Sequence, residues 1–273
     1  MHLMDFFIRF EKPNHKIMTR NLLMLLAAFL MINTLSSQEM FIVQSNNLYG
    51  LINKDGIEIV KPKYHFIDDF DYTRDGWAKV GYDGKFGFID KTGKEVVELK
   101  FESIGSYDEY YKDWALVRHK GKYGFINKDG YSIVEPSYDE IQKFGTIHSD
   151  WALVNKNSYY GFINRTGKLV VDCKYDEIKP FNLIRKGWSI IVSNGNYGII
   201  DNSGKIVLEP LYSEIGDFDI YKRGWAKISL NNEKFGFINK KGEIVVAPIY
   251  DNVEPFRKGK KKVKQDRTSL ATN

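Results

Sequence analysis

Any catalysis would have to come from titratable or nucleophilic side chains, so the histidines and the single cysteine of the body are the first to test. His65, His119 and His148 fall at different phases of a 37-residue repeat, so no base and no metal ligand recurs from copy to copy. One composite site would then need unlike copies to converge. Cys173 is the only cysteine, which excludes an intramolecular disulfide and a thiolate cluster. Its slot is filled in other copies by Pro62, Pro136, Pro210 and Pro248, so it reads as a small residue tolerated at a strand end. Carboxylates such as Asp90, Asp176 and Glu177 sit at repeat phases and read as turn caps or solvated faces. Single acids without alternating partners supply too few oxygens for a calcium loop. No glycine-rich phosphate loop, nucleophile elbow or zinc spacing is present. The chemistry expected is therefore none: no enzyme, no metal and no cofactor.

The elements around these residues form a strict array. Trp77, Trp114, Trp151, Trp188 and Trp225 lie 37 positions apart, and an aromatic-Gly pair keeps step at Tyr49, Phe86, Tyr123, Tyr160, Tyr197 and Phe235. A fixed period of this size marks stacked copies of one supersecondary unit. Within a copy, Trp77-Ala-Lys-Val alternates as a strand does. A tip such as Asn194-Gly195 suits a tight hairpin with positive φ. The next strand, Phe86-Gly-Phe-Ile-Asp, carries a glycine at constant phase, which implies a close backbone approach, expected beneath a neighbouring copy's tryptophan. Asn53-Lys-Asp-Gly56, Asp90-Lys-Thr-Gly93 and their four counterparts have type I turn chemistry, with a side-chain cap and a left-handed glycine exit. A third strand such as Ile57–Val60 is expected to end at the proline slot. The Tyr175, Ile178, Phe181 spacing fits an irregular link, with a short fourth strand as the alternative.

Together, Gly-Trp-Ala-Lys-Val, Phe-Gly-Phe-Ile-Asp-Lys-Thr-Gly-Lys and the Pro-x-Tyr-Asp-x-Ile segment resemble the bacterial WG-repeat family over residues 40–256. The resemblance implies an all-β repeat fold of exported bacterial proteins with no common enzymatic activity. Met40 in the first tryptophan slot, Leu99 and Cys173 in proline slots, one extra residue within Leu230–Lys234, and Lys260 near a seventh tryptophan slot depart from the pattern. The expected fold is thus six tandem repeats of about 37 residues, spanning 40–262 and stacked as an open twisted solenoid, with a closed six-unit propeller-like ring as the alternative.

Residues 1–39 lie outside this pattern. Lys16 and Arg20 precede the apolar run Leu22–Ile32, and small polar residues follow, the layout of a secretory signal peptide with a start at Met18 and cleavage near Ser37. The run is too short for a membrane span, which needs ~20 residues. The mature chain is therefore expected in the periplasm or outside the cell. The formal charge of +5 is carried at the ends: residues 257–273 hold seven basic side chains against Asp266, which leaves the body near neutral. That argues against a nucleic-acid footprint on the repeats. Residues 263–273 read as a disordered basic tail.

Two function classes remain. The tryptophans, at strict period, read as the packing core between copies. The segments before each tryptophan differ in every copy yet share one phase, and variable loops gathered this way are where repeat proteins bind. Tyr72, Tyr110, Tyr111, Ile147, His148, Leu183, Ile184, Ile220 and Tyr221 are the apolar or aromatic residues on them. The expected function is an interaction scaffold for a protein partner at the cell envelope. The alternative is a polysaccharide- or peptidoglycan-binding module that uses the loop tyrosines.

Overall fold

The computed structural model describes residues 40–254; the expected signal peptide, Lys260 and the expected basic tail lie outside them. Among the described residues every regular element is a strand, and the strands form six antiparallel sheets in chain order, one of three strands and five of four. No sheet closes on itself into a barrel. This is the all-β tandem repeat array that the period requires. The chain divides into two compact units, one comprising the chain up to Asp83 with Phe88–Glu95, the other Gly84–Gly87 with the chain from Val96.

In the first unit, the three-stranded sheet Met40–Ser45, Leu48–Asn53 and Glu58–Tyr64 buries Leu51, Val60 and Tyr64. Gly93 closes its turn at φ 80° directly over that sheet, where a Cβ would lie 2.5 Å from Val60 Cγ2. The Tyr64 hydroxyl and Lys63 Nζ both donate to Glu95 Oε1 at 3.1 Å.

The second unit shows the repeat in full. One sheet runs Glu140–Ile141, Trp151–Lys156, Tyr159–Asn164, Leu169–Tyr175, each strand pairing with the next. The short first strand resolves the link left open above: Tyr-Asp-x-Ile closes one copy and then pairs with the tryptophan strand of the following one, as Ile178 does with Ile191. Alternation gives each sheet two apolar faces. Ala152, Val154 and Ile163 pack with Trp114, Phe125, Val134 and Tyr138 of the preceding sheet. Trp151, Phe162, Val171 and Tyr175 pack with Ile191 and Ile200 of the following one. The core therefore lies between sheets, in layers.

Two turns hold each sheet in register. Asn194 (φ 49°) and Gly195 (φ 75°) make the two-residue hairpin, closed by Ser193 facing Asn196. The residue at the Asp176 phase caps such tips from the neighbouring strand: Asp139 accepts from the Asn157 amide at 2.7 Å and Asp176 from the Asn194 amide at 2.6 Å. His65 fills the same phase, its Nδ1 accepting from the Asp83 amide at 3.2 Å. The inserted residue lies in the hairpin between Leu230 and Lys234, which pair with each other. At the second turn, Asn164 Oδ1 accepts from the amides of Thr166 and Lys168, each at 3.0 Å.

Two sequence expectations need correction. The proline slot does not end the third strand but lies inside it, as Pro62 does in Glu58–Tyr64 and Cys173 in Leu169–Tyr175. The register jumps there, because Tyr160 faces Tyr175 while Phe162 faces Val171, so the third strand carries a bulge. A proline in a bulge forfeits no ladder donor. That bulge, rather than a tryptophan, is what closes over the strand glycine. A Cβ on Gly161 would lie 2.4 Å from the Val171 carbonyl oxygen and 2.8 Å from the Cys173 nitrogen.

Candidate functional site

The loops before the tryptophans share a frame that the sequence hides behind their variability. Each opens on a left-handed residue: Asp71, Asp108, Asn182 and Asp219 have φ of 66–71°, and Gly145 has 87°. In the four loops that open on Asp or Asn, the opening side chain then accepts from the amide five residues on, as Asn182 Oδ1 does from Gly187 at 2.6 Å. The tryptophan closes the loop, with the Asn182 amide donating to the Trp188 carbonyl at 2.8 Å and the Trp188 amide to Arg185 at 3.1 Å. Asp71 and Asp219 also accept from Lys91 and Lys240 at 2.9 Å. The backbone bonds from Gly76 and Gly224, with those lysines, hold both carboxyls below the usual aspartate range.

This frame sorts the nine candidate loop residues by position. Three residues before each tryptophan, a flat or cationic side chain meets the indole: Arg74 at 4.7 Å, Tyr111 edge-on at 5.3 Å, His148 stacked at 3.9 Å, Arg185 at 4.6 Å and Lys222 at 3.9 Å. Tyr111 and His148 are therefore lids on tryptophan. Four residues before, the side chain turns inward. Tyr110 meets Phe125 at 5.6 Å and Tyr221 meets Phe237 at 5.4 Å, while Ile147 and Ile184 join the inter-sheet clusters. Five residues before, Tyr72, Leu183 and Ile220 stand out at 83%, 61% and 66% exposure.

The tryptophans lie on the inward side of this arrangement. Trp114, Trp151 and Trp188 are buried, each edge-on to a phenylalanine of the next copy, Phe144, Phe181 and Phe218, at 5.8–6.2 Å. Trp77 and Trp225 are half-buried and lie against Phe88 and Phe237 of their own sheets.

In the second unit two consecutive loops enclose a cleft of about 440 Å³. Ile147, Phe181 and Trp188 supply apolar lining, and Arg185, Lys186 and Asn202 supply polar groups. Burial pushes the His148 imidazole below its ordinary pKa, although Asp150 and the Asn202 backbone pull it up. Its Nδ1 accepts from the Asp150 amide at 3.2 Å, and Ser149 Oγ donates to Asp150 at 3.0 Å. The histidine and its neighbouring hydroxyl are thus each engaged with Asp150. Asp201, on the far wall, accepts from the Ser203 and Lys205 amides, and despite a desolvation penalty these bonds lower its pKa. The cleft brings cationic and apolar groups together with Asp201.

Cys173 is half-buried, and burial raises its thiol pKa, so it is a thiol packed beside the core rather than a thiolate. His119 Nδ1 lies 3.0 Å from the Lys100 carbonyl. Among the described residues no three His, Cys, Asp or Glu side chains come together as metal ligands, and no helix is long and apolar enough to cross a membrane.

No curated protein sequence matches this chain. Among solved structures, Hsv2 of Kluyveromyces lactis is similar at 13% identity over 74% of this chain and 71% of that one, with a TM-score of 0.24. BamB of Moraxella catarrhalis is similar at 12% identity over 77% and 89%, with a TM-score of 0.25. Likeness at that level carries no argument about function. The sequence match is of a different kind: the profile described as WG containing repeat fits residues 49–86, 86–123, 123–160, 160–197, 197–233 and 235–267, one aromatic-Gly copy after another. The period, the sheets it builds and these six consecutive matches make the chain a member of the WG containing repeat family.

Proposed function

We propose that the protein is an exported, non-enzymatic scaffold that holds a protein partner at the bacterial cell envelope through the loops preceding its tryptophans. The observation that carries this reading is the sorting of those loops. Their frame is held by backbone hydrogen bonds, Trp114, Trp151 and Trp188 are buried, and the residue left outward is apolar in Tyr72, Leu183 and Ile220. Exposed apolar side chains on preorganised loops are affinity-bearing features at low entropic cost. The cleft beside Leu183 adds Arg185 and Lys186 to an apolar floor, which favours a partner segment mixing apolar and acidic residues. Export rests on the signal-peptide layout around Leu22–Ile32.

The glycan reading loses support from the same sorting. Of the four loop tyrosines it relied on, Tyr110, Tyr111 and Tyr221 are packed and only Tyr72 is open. Capture from an envelope extract beside a glycan array tests the choice. One protein retained through moderate salt is expected; enrichment of glycan alone, lost when Tyr72 becomes alanine, would overturn it. N-terminal sequencing of the periplasmic or secreted form should begin near Ser37, and a cytoplasmic chain retaining Leu22–Ile32 would refute export.

A further inference from the structure

The inter-sheet junction has two unlike halves, and among the described residues one copy of each is incompletely covered. Within the second unit the junction is built three times. On one side stand Trp, Phe or Ile, Val or Leu, and Tyr, for example Trp114, Phe125, Val134 and Tyr138; on the other stand a small residue, Val or Ile, and Ile, for example Ala152, Val154 and Ile163. The last described sheet ends on the first half. Its Ala226, Ile228 and Ile238 are buried against the preceding sheet, while Tyr250 is 52% exposed where Tyr138, Tyr175 and Tyr212 are buried. Trp225 and Val246 are partly exposed, while Phe237 of the same half is buried.

The second half stands uncovered in the first unit. By register, Phe41, Val43 and Ile52 occupy the places of Ala152, Val154 and Ile163. Those three are fully buried, whereas Phe41 is 52% exposed and Val43 and Ile52 are partly exposed. The substitution of phenylalanine for alanine has a steric reason. Among the described residues the first sheet has three strands, without the short edge strand whose isoleucine, Ile141, Ile178 or Ile215, helps fill each internal junction. A ring at Phe41 supplies that missing apolar volume.

We infer that the last sheet of one copy docks on the first sheet of a second copy, continuing between molecules the junction that the second unit makes within one. The occupant is another copy of this chain because the face is one half of a junction whose other half the same sequence carries. The two patches differ, so the interface is heterologous and the series is open-ended.

Sedimentation of the purified chain over a rising concentration series tests this. Wild type should show a mean mass that grows with concentration through dimer and beyond. Phe41→Asp and Tyr250→Asp, both at exposed positions that folding tolerates, should each remain monomeric. Each variant keeps one good face, so an equimolar mixture should form dimers and stop there. A wild type that stays monomeric, as it would if another partner or the chain's own residues beyond Glu254 cover the face, overturns the inference. So does association undiminished in the single variants, or a mixture that remains monomeric.

Discussion

Trp151→Ala isolates the contribution of one inter-sheet tryptophan. Trp151 is 8% exposed, stacks on His148 at 3.9 Å, and lies at 5.5 Å and 6.2 Å from Phe162 and Phe181, its own sheet's and the next copy's phenylalanines. Its ring edge also approaches Gly204 of the following sheet, 3.5 Å from where a Cβ would stand. A buried indole removes about 150–250 Å² from water. At ~25 cal/mol/Å² that is roughly 4–6 kcal/mol. Residual burial in the denatured chain trims it, to the roughly 3–5 kcal/mol typical of deleting a large core aromatic. Trp225→Ala is the internal comparison. Trp225 is only partly buried, against Phe237 of its own sheet, so its loss should cost less than that of Trp151. Urea unfolding followed by far-ultraviolet circular dichroism reads both. Equal costs, or a Trp151 variant that unfolds with wild type, would show that the tryptophan is not the wedge between sheets.

Two further outcomes follow from the turns. Gly161→Ala forces a Cβ against the backbone of Val171 and Cys173, and the bulge must give way at a cost of about 1–3 kcal/mol, the overpacking range; a melt within error of wild type would refute the close approach. Asp201→Asn tests charge at the second turn. The Asp201 carboxyl lies below its ordinary 3.8 in the fold, so its stabilisation is present above that value and lost as pH falls through the lowered one. Asparagine, which Asn164 shows to make the same two bonds, keeps the cap in acid. The variant should therefore gain stability relative to wild type between neutral pH and pH about 3, in the carboxylate range. A stability difference independent of pH would contradict this.

Much of this architecture was legible because local chemistry repeats. Alternation set the strands, Asn-Gly and Asn-x-x-Gly set the turns, and the period set the count of copies. What escaped is non-local. The bulge at the proline slot exists only in the pairing of two strands, so periodicity could not distinguish a strand end from a kink within one. The partner of Gly161 escaped for the same reason. The short Tyr-Asp-x-Ile strand was ambiguous because it pairs with the next copy. The loop candidates were chosen by apolarity alone, which merged three structural roles. One signal lay open in the sequence: Arg74, Tyr111, His148, Arg185 and Lys222 all stand three residues before a tryptophan, and each can cover an indole face.

The central claim is that exposed loop residues hold a protein partner while the tryptophans hold the fold. Titration of the captured partner against three forms of the protein tests it most directly. The forms are wild type, Leu183→Ser with Ile220→Ser, and Leu211→Ser, an equally exposed leucine on a third strand away from the loops. All three should melt alike. The loop variant should bind about tenfold more weakly or worse, ~1.4 kcal/mol, and the Leu211 variant should match wild type. Equal affinity across the three forms, or a loss confined to Leu211→Ser, would contradict the account.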